Sequence, residues 1–301
     1  MNRGALLIGL FIAAFLSNGC NPVVDSPESD AASAGTLTAF VETTTTEVAQ
    51  DADGAEDRLV DEPIESPRDY DHAVEITKQT PGYRNLQKIG LAFHGYHDIF
   101  GKFPPAVLTG PDGKTPYSWR VELLPILKHY VDEIDSEQLR GKTDREGYWK
   151  LIENCGYDLS QPWDSPANQA FLEKGNNVFR HPTDNAVSTA SGFYAIVGEG
   201  TAFDPNERSR YDDIKGWPAS TLLIVEARCR EPWTRPIDIA YSDISTVPLL
   251  GGFSRHGFLA LSADGAVHFV SNVEPPDDIR AFISKSKSDS FEIPGIPYRY
   301  Q

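Results

Sequence analysis

The sequence predicts an α+β fold. Three observations predict it: one long helical period near residue 90, well-punctuated short helices in the middle, and β-rich segments in the last third ending at an Asp-Gly turn. The order, one long helix, then small elements, then antiparallel strands, separates this chain from a repeating βαβ pattern. No internal repeat is present.

The folded part is expected to begin near Pro81. Leu86, Ile89, Phe93, Tyr96 or His97, and Phe100 recur at three- and four-residue steps, the mark of an amphipathic helix. Gly101 stops it and Pro104–Pro105 forbid its continuation. "GPDGKTPYSW" then reads as a turn-rich loop. Ser118 can cap a following helix, which Pro125 must kink or divide. Residues 132–160 are charged, with a short helix around Tyr148–Asn154. In "PWDSPANQAFLEKG", Asp164 or Ser165 serves as N-cap, Pro166 takes the first helical position and Gly175 ends the helix.

Ser191–Gly198 and Ser220–Arg228 are short, β-forming runs. Phe258–Val270 is the strongest local signal in the chain. Its two apolar runs flank Asp264–Gly265, a dipeptide that favours a tight type I′ hairpin because glycine accepts positive φ. A closing helix follows at about Asp277–Ser284.

The N-terminus carries a different signal. Arg3 precedes the twelve-residue apolar run "ALLIGLFIAAFL", then "SNGCN". The run is short of the ~20 residues that span a bilayer, and its flanks describe an export signal. A cysteine directly after Gly19 resembles a bacterial lipobox, so cleavage before Cys20 would leave a lipid-carrying N-terminus. Leu16 stands one place further from Cys20 than that pattern has it, and Ser17 fills the usual leucine position.

The chain of 301 residues has a net charge of −17, unevenly spread. Residues 21–75 hold 15 acidic and 2 basic side chains, a net −13. With Ser, Thr and Pro throughout and few large apolar residues, residues 21–80 read as a disordered acidic linker. As a flexible coil its typical span is about 40 Å. The organisation is therefore a signal peptide at 1–20, a linker at 21–80 and one domain at 81–301. No basic stripe is present to follow phosphates, which excludes nucleic acid as the natural partner.

Candidate chemistry is sparse. His94, His97 and Asp98 share one helix face, and His181 and His256 are candidate third ligands for a metal. His-x-x-His is not zincin spacing and the zincin glutamate is missing, so the simpler reading is a polar helix end tied to its exit loop. "GFSRHG" lacks the G-x-S-x-G spacing of a nucleophile elbow. There is no P-loop and no dinucleotide fingerprint. The expectation is no catalytic residue, no metal and no cofactor. Trp119, Trp163, Trp217 and Trp233 can line a solute or sugar pocket or serve as packed loop anchors. With Cys20 lipidated, Cys155 and Cys229 remain as a candidate disulfide or as two separate buried thiols.

"NLQKIGLAFHGYHDIFGKFPPA", "SWRVELLPIL", "PWDSPANQAFL", "FYAIVGEGTAF", "STLLIVEA", "EPWTRP" and "LGGFSRHGFLALSADGAVHFV" follow one another over roughly residues 84–285. In these blocks the chain resembles the large planctomycete family known as domain of unknown function 1559. The resemblance implies a pilin-like α+β fold, with a long N-terminal helix packed on an antiparallel β-sheet and loop-rich insertions, as in type IV pilins and G-type pseudopilins. It implies no established enzyme activity. It assigns His256, Asp264 and Gly265 to the family's C-terminal processing-associated signature. Through the calcium loop of G-type pseudopilins it also raises Asp243 or Asp264 as a calcium contact.

The chain departs from the family in four places. The prepilin leader and its hydrophobic half-helix are replaced by the lipobox and acidic linker. Seven residues, not nine, separate His256 from Asp264. His181 stands where many relatives have cysteine, and residues 132–160 read as an insertion. The resulting expectation is a non-enzymatic, exported lipoprotein held at the membrane through Cys20, facing periplasm or cell surface, in contact with envelope or secretion-system proteins. A solute- or glycan-binding lipoprotein is the alternative.

Overall fold

The computed structural model describes residues 75, 77, 78, 80–132, 144–174, 177–184, 189–215, 218–242, 246–254, 256–272 and 274–286. The signal-like start, Cys20, most of the acidic stretch, Trp217 and Asp243 lie outside the described residues. What is described is mixed α+β, with six α-helices, a two-stranded hairpin and a five-stranded sheet.

Helix α1, Pro81–Phe100, starts where the sequence expects. Thr80 Oγ1 accepts the Tyr83 N–H, and Pro81 occupies the first turn, where no intrahelical donor is needed. Gly101, at φ 66°, ends the helix and donates its N–H to His97 O. Leu86, Ile89, Ala92, Phe93 and Tyr96 are fully buried, one stripe at helical spacing. Each large side chain in that stripe contributes about 1.5–3 kcal/mol by leaving water. The stripe lies on the sheet, and Gly90 sets how close it can come. A Cβ there would sit 2.9 Å from Leu261 Cδ1 and 3.4 Å from Gly265 O.

After α1 come the hairpin strands β1, Val107–Thr109, and β2, Pro116–Ser118. The helices α2, Trp119–Glu122, and α3, Leu124–Asp132, then break at Leu123, with Ser118 Oγ capping α2. Pro125 stands in the first turn of α3, so the proline divides the segment as its missing N–H requires. Helix α4 is Arg145–Asn154, capped by Asp144, and α5 is Pro166–Lys174.

The main sheet runs β5-β3-β4-β6-β7, with β3 Phe193–Val197, β4 Leu222–Glu226, β5 Ile239–Ala240, β6 Gly257–Ser262 and β7 Val267–Ser271. β3, β4, β6 and β7 are antiparallel. The two-residue edge strand β5 joins β3 in parallel, so the sheet is mixed rather than purely antiparallel as expected. β5 follows β4, which is antiparallel to β3, and its return reverses the chain so that it runs in the direction of β3.

Both faces of the sheet are covered. Phe193, Ala195, Leu259 and Leu261 point into the larger core with α1, while Tyr194, Ile196, Phe258 and Ala260 point into a second core. That second core is closed by helix α6, Pro276–Ile283, through Ile279, Phe282 and Ile283. Strict alternation fails once. Leu223 and Ile224 both face the larger core, between Leu222 and Val225 on the other side. The register with β6 shifts at that place, the signature of a β-bulge.

The β6–β7 turn corrects one expectation. Gly265 N–H bonds to Ser262 O at 3.0 Å, Ser262 N–H bonds to Ala266 O at 2.9 Å, and Gly265 has φ 88°. Asp264 is not in the positive-φ region. This is a type I turn closed by a left-handed glycine bulge, not the two-residue type I′ turn. Asp264 Oδ1 accepts Ser262 Oγ and the Ala266 N–H, which holds the longer loop.

Candidate functional site

The family-signature residues do not converge. His256 immediately precedes β6, and Asp264–Gly265 follow its other end, so the strand length separates them by roughly 25 Å. His256 donates its N–H to Ser254 Oγ, its carbonyl accepts from Asn272 N–H, and its Nε2 is buried with no partner. The signature residues close the ends of one hairpin.

The histidines do not converge either. His97 Nε2 accepts the Tyr211 N–H at 3.3 Å, and its ring lies 5.3 Å from Phe103, so it ties the end of α1 to two following loops. His94 packs against the hairpin, where a Cβ on Gly265 would lie 3.2 Å from its Nε2. That nitrogen is buried without a hydrogen-bond partner. Asp98 is exposed. His181 is near the other end of α1, beside Gly82. Among the described residues no three His, Cys, Asp or Glu side chains gather as metal ligands.

His181 instead finds Glu226, a partner that sequence reasoning missed. His181 Nδ1 accepts the Thr183 N–H at 3.3 Å, so Nε2 carries the hydrogen and donates to Glu226 Oε1 at 2.5 Å. Glu226 Oε2 accepts the Leu259 N–H at 3.0 Å, and the His181 ring stacks on Phe253 at 3.7 Å. Both side chains are buried, and Gly192 lies so close to the His181 backbone and Cβ that no side chain fits at position 192. The arrangement fastens the loop before β3 to β4 and β6.

Cys155 carries a thiol outside any disulfide, so it does not bridge to buried Cys229. Cys155 follows α4 in the larger core and Cys229 belongs to the second core, across the sheet. Two tryptophans serve as core anchors: Trp119 and Trp233 are fully buried, and Trp163 is half-buried beneath Arg235 at 5.3 Å.

Two buried charge networks frame the region between the hairpin and the sheet. Arg120 and Asp238 form an ion pair at 2.8 Å with side chains 1% and 2% exposed. Asp238 also accepts the Ala195 N–H and the Trp119 Nε1–H, and Arg120 donates to Phe193 O. Burial pushes the Asp238 carboxyl above its ordinary range, opposed by Arg120 and these N–H donors. The second network is centred on Glu122, which is fully buried. Arg145 Nη1 and Nη2 grip its carboxylate at 2.5 and 3.2 Å, and Tyr117 OH donates to it at 2.8 Å. Burial, then the Glu122 charge, drives the Tyr96, Tyr117 and Tyr148 hydroxyls well above the usual phenol range, so all three stay neutral.

Arg145 carries this network to the surface, where a groove of about 360 Å³ opens. Its walls are Tyr96 and Phe100 from α1, Arg145 from α4, the stretch Pro105, Val107, Leu108 and Thr109, and Arg208. Arg208 is exposed and donates to Tyr96 OH at 3.1 Å. Arg145 lies over the Trp149 and Phe100 rings at 5.4 and 5.9 Å, which fixes its plane. The groove therefore has an apolar and aromatic floor, two guanidinium groups and, among the described residues, no lining carboxylate, an arrangement that can hold an anionic group attached to an apolar body. The aromatic residues were legible as helix-face residues. Arg208 carried no sequence signal, because its position follows from a loop more than 100 residues from Tyr96.

Residues 82–146 match the model of a family described as a protein of unknown function, DUF1559. That segment runs from the first turn of α1 into α4 and contains every groove residue except Arg208. No curated protein and no solved structure matches the chain.

Proposed function

We propose, on the premise that residues 82–146 are a DUF1559 segment, that the chain is a non-enzymatic, lipid-anchored cell-envelope protein whose domain makes protein contacts through the groove. The groove carries this reading. It is open, apolar-floored and cationic, and it stands beside an unpaired strand edge, which are features of a contact surface. The His181–Glu226 and Arg120–Asp238 pairs support it from the other direction, because each is buried and bonded within the fold. A pilin-like arrangement is compatible with the same reading: α1 is the first long helix among the described residues and packs on β6 and β7 of the sheet.

Anchoring rests on the order Arg3, apolar run, Cys20, acidic linker, domain. A linker over residues 21–80 would hold the groove some tens of ångströms from the membrane, within reach of envelope or secretion partners. Palmitate labelling in a bacterial host tests the anchor. The wild type is expected to label and to sediment with membranes, whereas Cys20→Ala is released unlabelled. Release of both without label removes the anchor.

A further inference from the structure

The groove lies along an open sheet edge. Ala106 O accepts the Trp119 N–H at 3.1 Å, and Gly110 N–H donates to Thr115 O at 2.8 Å. The register of β1 with β2 is Val107 opposite Ser118, Leu108 opposite Tyr117 and Thr109 opposite Pro116. Hydrogen-bonded and non-hydrogen-bonded pairs alternate in an antiparallel ladder. Residues 106, 108 and 110 therefore turn their backbone groups toward β2, while Val107 and Thr109 turn theirs outward. Pro116, which has no N–H, stands opposite Thr109, where none is required. β1 has no second neighbour among the described residues. The outward N–H and C=O groups of Val107 and Thr109 form a short template for another strand.

We infer that this edge and the groove beside it receive an extended segment of a partner protein, added as a third strand to β1, with a carboxylate side chain paired to Arg208. The inference rests on the reading of the domain as a protein-contact module and names the partner's chemistry. Charge complementarity selects the acid. Arg145 is already neutralised by Glu122, whereas Arg208, among the described residues, bonds to the Tyr96 hydroxyl and to no carboxylate. Main-chain bonds supply the extended conformation, and the partly exposed Phe100 ring accepts one apolar side chain. A free small carboxylate would satisfy Arg208 but leave the edge unpaired.

The test uses the full-length chain in detergent and fluorescence anisotropy. The probe is a labelled decapeptide of alternating threonine and valine with one central glutamate. Companion probes replace that glutamate with glutamine, or carry N-methyl groups on alternate amides. The glutamate peptide is expected to bind, the glutamine peptide about tenfold more weakly, and the N-methylated peptide not measurably. Arg208→Gln, an exposed change that leaves the core intact, is expected to erase the difference between glutamate and glutamine. The assignment is overturned if N-methylation has no effect, if Arg208→Gln keeps the glutamate preference, or if no peptide binds. It is also overturned if deleting residues 21–75 raises affinity more than tenfold, because the acidic stretch of the same chain would then be the occupant. None of these results bears on palmitate labelling, so failure here is distinguishable from failure of the anchor.

Discussion

Asp238 and Arg120 meet where almost no solvent reaches, and each is committed to several further bonds. Removing one partner strands the other charge in the interior. Arg120→Leu is therefore expected to lower unfolding free energy by about 3–5 kcal/mol, read as a drop in the urea midpoint. A change under about 1 kcal/mol would mean that the pair is not shielded as described. His268 gives a pH prediction. Burial lowers its pKa from 6.5 to about 4, against a smaller upward pull from Asp264. Between those values the unfolded chain binds the proton and the folded chain does not, so stability falls as pH drops from about 6.5 to 4. The full effect is up to about 3 kcal/mol. Urea melts at pH 7 and 4.5 should show a smaller acid loss in His268→Gln than in wild type; equal losses would contradict the account. Little of this was legible in advance. With 44 acidic residues in the sequence, nothing marks Glu122, Glu226 and Asp238 as the buried ones, and Asp238 and Glu226 meet partners more than 40 residues away.

At the scale of elements, α1 and the β6–β7 hairpin stabilise each other through two glycines. Gly90 admits Leu261 and the turn backbone, and Gly265 holds positive φ while facing His94. Gly265→Ala is expected to cost about 1–2 kcal/mol from backbone conformation. Gly90→Val is expected to cost about 1–3 kcal/mol by overpacking. Thermal melts of the two variants test both, and a wild-type transition in either would show that helix and turn are not in contact. These elements were readable because their signals are local: Pro81 and Gly101 bound α1, and Asp264–Gly265 mark the turn. The turn type was not readable. Asp-Gly permits both geometries, and the Ser262–Ala266 bonds decide between them. The β1–β2 hairpin lay hidden in a segment that reads as loop, and β5 has two residues, too few for a period.

At the scale of the whole molecule, the account joins a domain that binds to an N-terminus that anchors. No helix among the described residues is long and apolar enough to cross a membrane. In the proposed reading, attachment is through Cys20. The sequence holds three cysteines, of which Cys155 is a thiol outside any disulfide and Cys229 is buried. A sulfur that carries a diacylglyceryl thioether cannot also join a disulfide, so lipidation of Cys20 and an intrachain bond to Cys229 exclude one another. Mass spectrometry of the mature protein, digested without reduction, separates these outcomes. The account predicts an N-terminal peptide that begins at Cys20 and carries a diacylglyceryl group; an unlipidated Cys20 peptide cross-linked to Cys229 would contradict it.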